Sequence, residues 1–219
     1  MKIVVIKVGG SLFDLPDLSA RLSRLLNDFE NARPLIICGG GETANLVRSW
    51  DKTYDLGDEA AHWLAIQSLM LNDKLLCELV PNARVVSSQA EAMEVWNDHK
   101  LPVLCSYTYL KQTSKAHIAP LPTSWDVTSD SIAAWVSLTW PAEELVLLKS
   151  VDLPEEMTLS ALAQAGLIDD YFPHFSESLP ALRWCNLRWC NLRSEREAAQ
   201  LATVISGKSF HIRNATGPA

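Results

Sequence analysis

The chain has 219 residues, 48% of them hydrophobic, and a formal net charge of -7 at neutral pH. A chain of this length and apolar content can bury one full core, so we expect a single domain over residues 1–219. The acidic balance argues against nucleic acid or an anionic membrane as the main partner. Apolar runs are too short for a membrane span and the N-terminus lacks a signal-peptide pattern, so we expect a cytoplasmic protein.

Short apolar runs bounded by glycine, proline or polar residues predict five buried strands, at 3–8, 35–38, 84–86, 102–105 and 145–148. Segments with helical spacing of apolar residues alternate with them, at 18–26, 44–48, 61–76, 88–96 and 128–138. Ser88 and Glu91 resemble a capping box, and Thr128 or Ser129 is placed to cap the last of these helices. The alternation predicts an α/β fold with a parallel sheet and helices on both faces.

Three further features carry weaker signals. The pentapeptide at 183–187 (Arg-Trp-Cys-Asn-Leu) recurs at once at 188–192, and its five-residue period indicates a duplication that lengthens a loop or helix. The five cysteines form no CxxC pair, which favours buried free thiols over a zinc site or a disulfide framework. Four tryptophans are candidates for either a subunit interface or the core: Trp135, Trp140, Trp184 and Trp189.

The first chemical motif is Lys7-Val8-Gly9-Gly10-Ser11, at the end of the first predicted strand. Glycines let backbone N–H groups approach an anion, and the lysine supplies a positive charge for the β and γ phosphates of a nucleotide. A plain tight turn is an equally good interpretation of this motif taken alone.

The second motif is Gly39-Gly40-Gly41, between the second strand and the helix that follows it. A glycine-rich entry to a helix N-terminus favours binding of an anion or carboxylate. In a parallel sheet both glycine loops open at the carboxyl ends of the strands, where ligands bind in open α/β folds.

These two motifs, a segment Val127-Thr-Ser-Asp130-Ser-Ile-Ala, and Leu147-Leu-Lys-Ser-Val-Asp152 occur in the order found in the amino acid kinase superfamily. The resemblance covers about residues 1–175. It implies a three-layer α/β/α sandwich with a mainly parallel central sheet, ATP and Mg²⁺ as cofactors, and a small-molecule acceptor. It also implies a homo-oligomer and no protein ligand for a metal.

The resemblance also implies roles for individual residues. Lys7 and a second lysine would contact the transferring phosphate, and Asp130 would organise the charges. Lys149 is the main candidate for that second lysine, ahead of Lys115 and Lys208. By sequence alone, Asp130 is equally well explained as a helix N-terminal residue favoured by the helix dipole. The first glycine loop and the nucleotide segment would bind ATP through Gly9, Gly10, Ser11 and Asp152.

Other stretches resemble the branch that contains the furanylmethyl phosphate kinase of methanofuran biosynthesis. They run from Arg48 to Asp51, from Leu56 to Ile66, and from Trp125 to Asp130. In that branch the acceptor is a phosphate monoester with an aminomethyl group, and the product is a diphosphate. We therefore expect Asp58 or Glu59 with His62 to bind a cation, and Arg48 to bind a phosphate. A solvated helix face is the alternative for each. The expected acceptor-binding residues are Gly39, Gly40, Gly41, Arg48, Asp58, His62, Trp125 and Thr128.

Asp152 is followed by Leu153-Pro154, where many members of the superfamily have glycine, so a differently shaped nucleotide loop is expected. This departure favours a second hypothesis, a catalytically silent nucleotide-binding protein on the same fold. Among enzymes, a uridylate- or acetylglutamate-type kinase is the alternative to the aminomethylfuran phosphate kinase.

Overall fold

The computed structural model describes residues 1–113, 119–154 and 157–188, together with the backbone of two strands at 201–204 and 211–213. The strands are β1 Lys2–Val8, β2 Ala32–Cys38, β3 Ala83–Val86, β4 Leu101–Leu104, β5 Glu144–Lys149, β6 Ala181–Asn186, β7 Leu201–Val204 and β8 His211–Arg213. The helices are α1 Leu18–Asn27, α2 Glu42–Tyr54, α3 Asp58–Leu79, α4 Gln89–Asn97, α5 Ser106–Gln112, α6 Ser129–Thr139 and α7 Leu159–Gln164.

The strands form one sheet in the order β3-β4-β2-β1-β5-β6-β7-β8. The pairings from β3 to β6 are parallel, and β7 and β8 extend the sheet antiparallel. Strand β1 lies at the centre, where Lys7 pairs in register with Ile37 of β2 and Leu147 of β5. The predicted mainly parallel sheet is confirmed. Its register brings the ends of β1, β2 and β5 to one edge, at which both glycine loops lie.

Helices cover both faces of the sheet and give the predicted three-layer sandwich. Alternate residues of β1 point to opposite sides, since Val5 belongs to one buried apolar cluster and Val4 and Ile6 belong to the other. The first cluster packs against α4, α5, α6 and α7, and the second packs against α1. Helix α3 contributes to both clusters, through Ile66 and Leu76, and passes beside the glycine loops.

The five predicted strands are all present, with bounds that differ by up to three residues. Helix α4 begins as expected, because the Ser88 side chain accepts a hydrogen bond from the Glu91 backbone N–H at 3.2 Å. The Glu91 carboxylate, however, accepts from Ser87 N at 2.8 Å and not from the cap residue itself. Helices α5 and α7 were not predicted, since each is only one or two turns long.

The prediction that the pentapeptide duplication lengthens a loop or helix is wrong for its first copy. Residues 183–186 belong to strand β6, in which Arg183 forms an ion pair with Glu144 at 2.6 Å and Trp184 is buried. The second copy, from 189 onward, lies outside the described residues.

Of the four tryptophans that were candidates for an interface or the core, the three that are described lie in the core. Trp135, Trp140 and Trp184 are each no more than 3% exposed, while Trp189 is outside the described residues. Three cysteines are buried free thiols and Cys77 is partly exposed, and Cys190 is outside the described residues.

Within the described part of the chain, no helix combines the length and the hydropathy that crossing a membrane would require.

Candidate active site

The two glycine loops pack directly against each other. A Cβ added to Gly10 would lie 2.0 Å from the backbone nitrogen of Gly41, and one added to Gly41 would lie 2.3 Å from the Gly10 carbonyl oxygen. Gly41 also has φ +54 and ψ -130, a conformation that residues with a Cβ rarely adopt. The glycines therefore allow the two loops to contact each other, in addition to the role in anion binding that the sequence predicts.

Gly10→Ala should destabilise the protein by about 3 kcal/mol or more, because the atoms it meets are backbone atoms that side-chain rotation cannot move. Gly57→Ala is the matched control, since Gly57 has φ +78 but nothing within 4 Å of an added Cβ. That variant should cost about 1 kcal/mol, from backbone conformation alone. Urea denaturation measures both, and equal destabilisation of the two variants would contradict the loop contact.

Helix α3 supports the second glycine loop from below. The Asn72 amide donates to the carbonyl oxygens of Gly39 and Gly40 at 2.7 and 2.8 Å. Its neighbour Asp73 is buried beside the Cys38 thiol, and neither carboxylate oxygen makes a well-formed hydrogen bond to the described residues. Burial raises the pKa of Asp73 to about 7, so much of this carboxyl is neutral at physiological pH.

Three charged side chains meet at the shared edge of the sheet. The Asp130 carboxylate lies between two ammonium groups, with Lys7 Nζ 2.9 Å from Oδ1 and Lys149 Nζ 2.7 Å from Oδ2. Lys149 also donates to the Leu167 carbonyl oxygen at 2.7 Å. Lys7 and Lys149 come from adjacent parallel strands, and Asp130 comes from the first turn of α6. We call these three residues the Lys-Asp-Lys cluster.

The cluster keeps a net positive charge in a buried place. Burial raises the pKa of Asp130, but the charges of Lys149 and Lys7 outweigh burial and bring the value to about 2. Burial also lowers the pKa of Lys149 to about 8, despite the opposing charge of Asp130. One carboxylate between two lysines leaves an excess cation at the sheet edge, which suits a phosphate group.

A cavity of about 180 Å³ opens between the glycine loops and the start of α6. Many of the predicted site residues line it: Lys7, Gly10, Ser11, Gly40, Gly41, Arg48, His62, Trp125 and Thr128. Its remaining wall is mainly apolar and is formed by Ala44, Ala65, Ile66, Leu69, Val127 and Ile132, together with Ser129. Lys7 and Arg48 are its charged lining residues in the described part of the chain, so the cavity combines an apolar wall with positive charge.

The segment before α6 is tied to α2 and α3 over this cavity. Trp125 Nε1 donates to the Asp51 carboxylate at 2.8 Å, and the Arg48 guanidinium lies 4.9 Å from the centre of the same indole ring. His62 Nδ1 lies 2.8 Å from the Ser124 carbonyl oxygen. These contacts close one side of the cavity.

The contact with Ser124 fixes the tautomer of His62. A carbonyl oxygen can only accept, so Nδ1 carries the proton. Burial lowers the pKa of His62, which keeps the ring neutral and leaves Nε2 as a hydrogen-bond acceptor. Nε2 has no hydrogen-bond partner among the described residues.

Other predicted site residues lie away from the cavity. Asp58 and Glu59 are exposed on the first turn of α3 and do not line it, so the expected convergence of this acidic pair with His62 is not seen. Asp152 is exposed and accepts from the Asn186 amide at 2.9 Å. Lys115 and Lys208 lie outside the described residues.

Gly9 and Gly39 attach the two glycine loops to the neighbouring strands through backbone hydrogen bonds. The Gly9 N–H donates to the Leu148 carbonyl oxygen and the Gly39 N–H donates to that of Val8, both at 2.8 Å. Each glycine thereby extends the pairing of the parallel strands by one step beyond their ends.

The sequence interpretation missed Asn72 and Asp169, both of which support the site. Asn72 and Asp73 occupy the positions on α3 between Leu69 and Leu76, where the apolar period predicts core residues. Their polar side chains at these positions are the sequence signal that could have identified them as part of the site. Asp169 accepts hydrogen bonds from the start of α6, but its sequence neighbourhood gives no comparable sign.

A protein-family model described as the amino acid kinase family matches residues 2–153. The chain belongs to the amino acid kinase family. The matched range contains both glycine loops and the Lys-Asp-Lys cluster, and it ends before Asp169.

Among curated proteins, the chain is similar to the (5-(aminomethyl)furan-3-yl)methyl phosphate kinase of Methanocaldococcus jannaschii, with 28% identity over 149 residues. That match covers 68% of this chain and 66% of the relative, which is just under two thirds of the relative's length.

Solved structures of uridylate kinases share the fold. The enzyme of Archaeoglobus fulgidus has a TM-score of 0.51 at 20% identity, over 72% of this chain and 69% of that one. The UMP kinase of Ureaplasma parvum has a TM-score of 0.59 at 15% identity, over 84% of this chain and 89% of that one. Similarity at these identities concerns the fold alone.

Proposed function

We propose that this protein is an ATP-dependent kinase that transfers the γ-phosphoryl group to a small phosphate monoester, giving a diphosphate. The observation that carries the proposal is the Lys-Asp-Lys cluster beside two packed glycine loops, with Lys7 facing a cavity. Phosphoryl transfer depends mainly on positioning and on neutralising the charge of the transferring group. In the reaction an acceptor phosphate oxygen forms the new P–O bond, and the bond from the γ-phosphorus to the β,γ-bridging oxygen breaks to release ADP.

The cluster supports specific roles. Lys7 would contact the transferring phosphoryl group, and Lys149 would add a second positive charge behind it. Asp130 would hold both ammonium groups in place. Backbone N–H groups of the glycine loops and the Ser11 hydroxyl are the candidate ligands of the nucleotide phosphates. Asp152, which is exposed and follows β5, is a further candidate for binding ATP.

Magnesium fits this scheme as a companion of the nucleotide. Both oxygens of Asp130 are occupied by lysines, and no group of three or more metal-ligating side chains occurs among the described residues. Mg²⁺ would neutralise charge on the β and γ phosphates and be held chiefly by them.

The cavity supports an acceptor with one anionic group, an apolar ring and one hydrogen-bond donor. Arg48 is placed to bind the anionic group, the apolar wall suits a ring, and His62 Nε2 offers an acceptor to an N–H group. An aminomethylfuran phosphate, the substrate named for the curated relative, has these three parts. His62 thus replaces the acidic pair as the group expected to bind the aminomethyl nitrogen.

Phosphorus-31 NMR of the purified protein with ATP, Mg²⁺ and single acceptors tests this function. The expected result is a diphosphate product from the aminomethylfuran phosphate, and slower conversion of UMP or N-acetylglutamate. Nucleotide binding without transfer to any of these acceptors would favour the silent nucleotide-binding protein. Preferred transfer to the carboxylate of N-acetylglutamate would contradict a phosphate acceptor.

Acceptor recognition is tested by the same assay with variants. His62→Phe should raise KM about 10-fold for the aminomethyl substrate and less for the analogue without that group, because only the former loses a hydrogen-bond partner. Asp58→Asn is the control, and it should leave both KM values unchanged because Asp58 does not line the cavity. A higher KM for the aminomethyl substrate in Asp58→Asn, with no change in His62→Phe, would instead support a role of Asp58 and Glu59 in binding the acceptor.

We also propose a cytoplasmic homo-oligomer. Free thiols suit a reducing compartment. Apolar side chains are exposed in rows on two adjacent helices, at Leu46, Trp50 and Tyr54 of α2 and at Leu71, Leu75 and Leu79 of α3. Exposed apolar surface of this kind favours association, and light scattering of the purified chain measures it.

A further inference from the structure

Asp169 is a buried carboxylate that receives hydrogen bonds from the start of α6. Its Oδ2 accepts from the backbone N–H and the hydroxyl of Thr128, both at 3.0 Å, and from the Ser131 N–H at 2.9 Å. Its Oδ1 accepts from the Ser131 hydroxyl and from the Phe172 N–H, the latter at 3.0 Å. These five hydrogen bonds satisfy a side chain that is only 9% exposed.

The position of Asp169 matters because of what lies between its partners. Thr128 is the residue before α6, and its own side chain makes no capping hydrogen bond within the helix. Asp169, 38 or more positions further along the chain, accepts instead from the Thr128 N–H and from one free N–H of the first turn, that of Ser131. Asp130 lies between Thr128 and Ser131, so the carboxylate of Asp169 fixes the turn from which Asp130 extends to both lysines.

Two further contacts join the same segments. The Tyr171 N–H donates to the Asp126 carbonyl oxygen at 3.0 Å, and the Leu167 carbonyl oxygen accepts from Lys149 at 2.7 Å. Residues 167–172 therefore contact the start of α6 and the second lysine of the cluster. This segment lies beyond the part of the chain that the family model matches.

Asp169 also contributes to the electrostatic environment of Lys149. The groups that face this lysine are Asp130 on α6, Lys7 on β1, Asp169, the Leu167 carbonyl and the Trp184 ring on β6, 5.4 Å away. Burial is the largest influence and lowers the pKa of Lys149, whereas the charges of Asp130 and Asp169 act to raise it. Loss of the Asp169 charge would therefore favour the neutral amine.

We propose that Asp169 is a positioning residue for phosphoryl transfer: by capping α6 from a distant segment, it holds Asp130 between Lys7 and Lys149. The inference rests on the proposed kinase function. A small displacement of a catalytic group costs on the order of 10²-fold in rate. If loss of Asp169 displaces Asp130, we therefore expect kcat to fall more than the affinity for either substrate.

Asp169→Asn tests the proposal, with the exposed neighbour in Asp170→Asn as matched control. The expected result for Asp169→Asn is a fall in kcat of about 10- to 100-fold, with KM for ATP changed by less than about 3-fold. The alkaline limb of its kcat profile should also move to lower pH, because Lys149 loses an anion that favours its protonated form. Asp170→Asn should match the wild type.

Three outcomes separate the possibilities. Unchanged kcat and pH profile in a folded Asp169→Asn variant would overturn the positioning role while leaving the kinase function intact. The positioning role would also be overturned if activity fell only in proportion to the fraction of folded protein and the pH profile did not move. An inactive wild type with every acceptor would overturn the proposed function and this inference together.

If Asp169→Asn does not fold, Ser131→Ala removes one of the five hydrogen bonds and should give a smaller shift in the same direction.

Discussion

Lys7→Ala is expected to lower kcat by about 10²-fold or more, because it removes a charged donor that faces the cavity at the end of β1. The ammonium group is needed where negative charge accumulates on the transferring phosphoryl group. The fold should persist, since Asp130 keeps Lys149 as a partner at 2.7 Å and Lys7 borders an existing cavity. Steady-state kinetics with a turned-over acceptor, together with circular dichroism, measure both effects.

The exposed pair Lys100 and Asp98, 3.0 Å apart, supplies a control for loss of a lysine as such. Lys100→Ala should leave kcat unchanged, because surface pairs contribute little to stability and this one lies outside the cavity. Wild-type turnover by Lys7→Ala would exclude this lysine from the transfer step.

Much of the fold could be predicted from the sequence because the signals are local. Runs such as the one that became β1 are buried on both faces, which makes them continuously apolar and easy to distinguish from the amphipathic helices between them. Strand β6 was missed since its six residues include Arg183 and Asn186 and its repeat suggested a loop or a helix. Burial of its Trp184 depends on the neighbouring layers, which no local pattern contains.

The site was predictable where its residues sit at strand ends and not where it depends on distant contacts. Lys7 and Lys149 end adjacent parallel strands, and this topology alone brings them to one edge of the sheet. Helical spacing placed Asp58 on the same face as His62, but it does not tell which turn of α3 borders the cavity. Asp169 reaches α6 from another segment, and that pairing is visible only in three dimensions.

Asp130→Asn is expected to lower kcat by about 10²-fold or more at pH 8 and to make the remaining activity strongly pH-dependent. The pKa of Asp130 is about 2, so its carboxylate is ionised throughout the working range and continuously compensates the two lysines. An amide of the same size removes that charge and leaves two buried ammonium groups facing each other. The cluster would then lose a proton more readily, because the opposing charge that offsets burial of Lys149 is gone.

The sign of the pH effect follows from that loss. In the wild type the pKa of Lys149 is about 8, and in Asp130→Asn it should fall, so that the amine becomes neutral at a lower pH than before. Activity of the variant should therefore recover in part as the pH is lowered from 8 to 6, where more of the lysine is protonated, whereas the wild type, with half of its Lys149 already protonated at pH 8, should gain no more than about twofold. Asp98→Asn, which removes an exposed carboxylate paired with Lys100, should keep the wild-type profile. A deficit in Asp130→Asn that is equally large at pH 6 and pH 8 would show that Asp130 does not act through the charge state of its lysine partners.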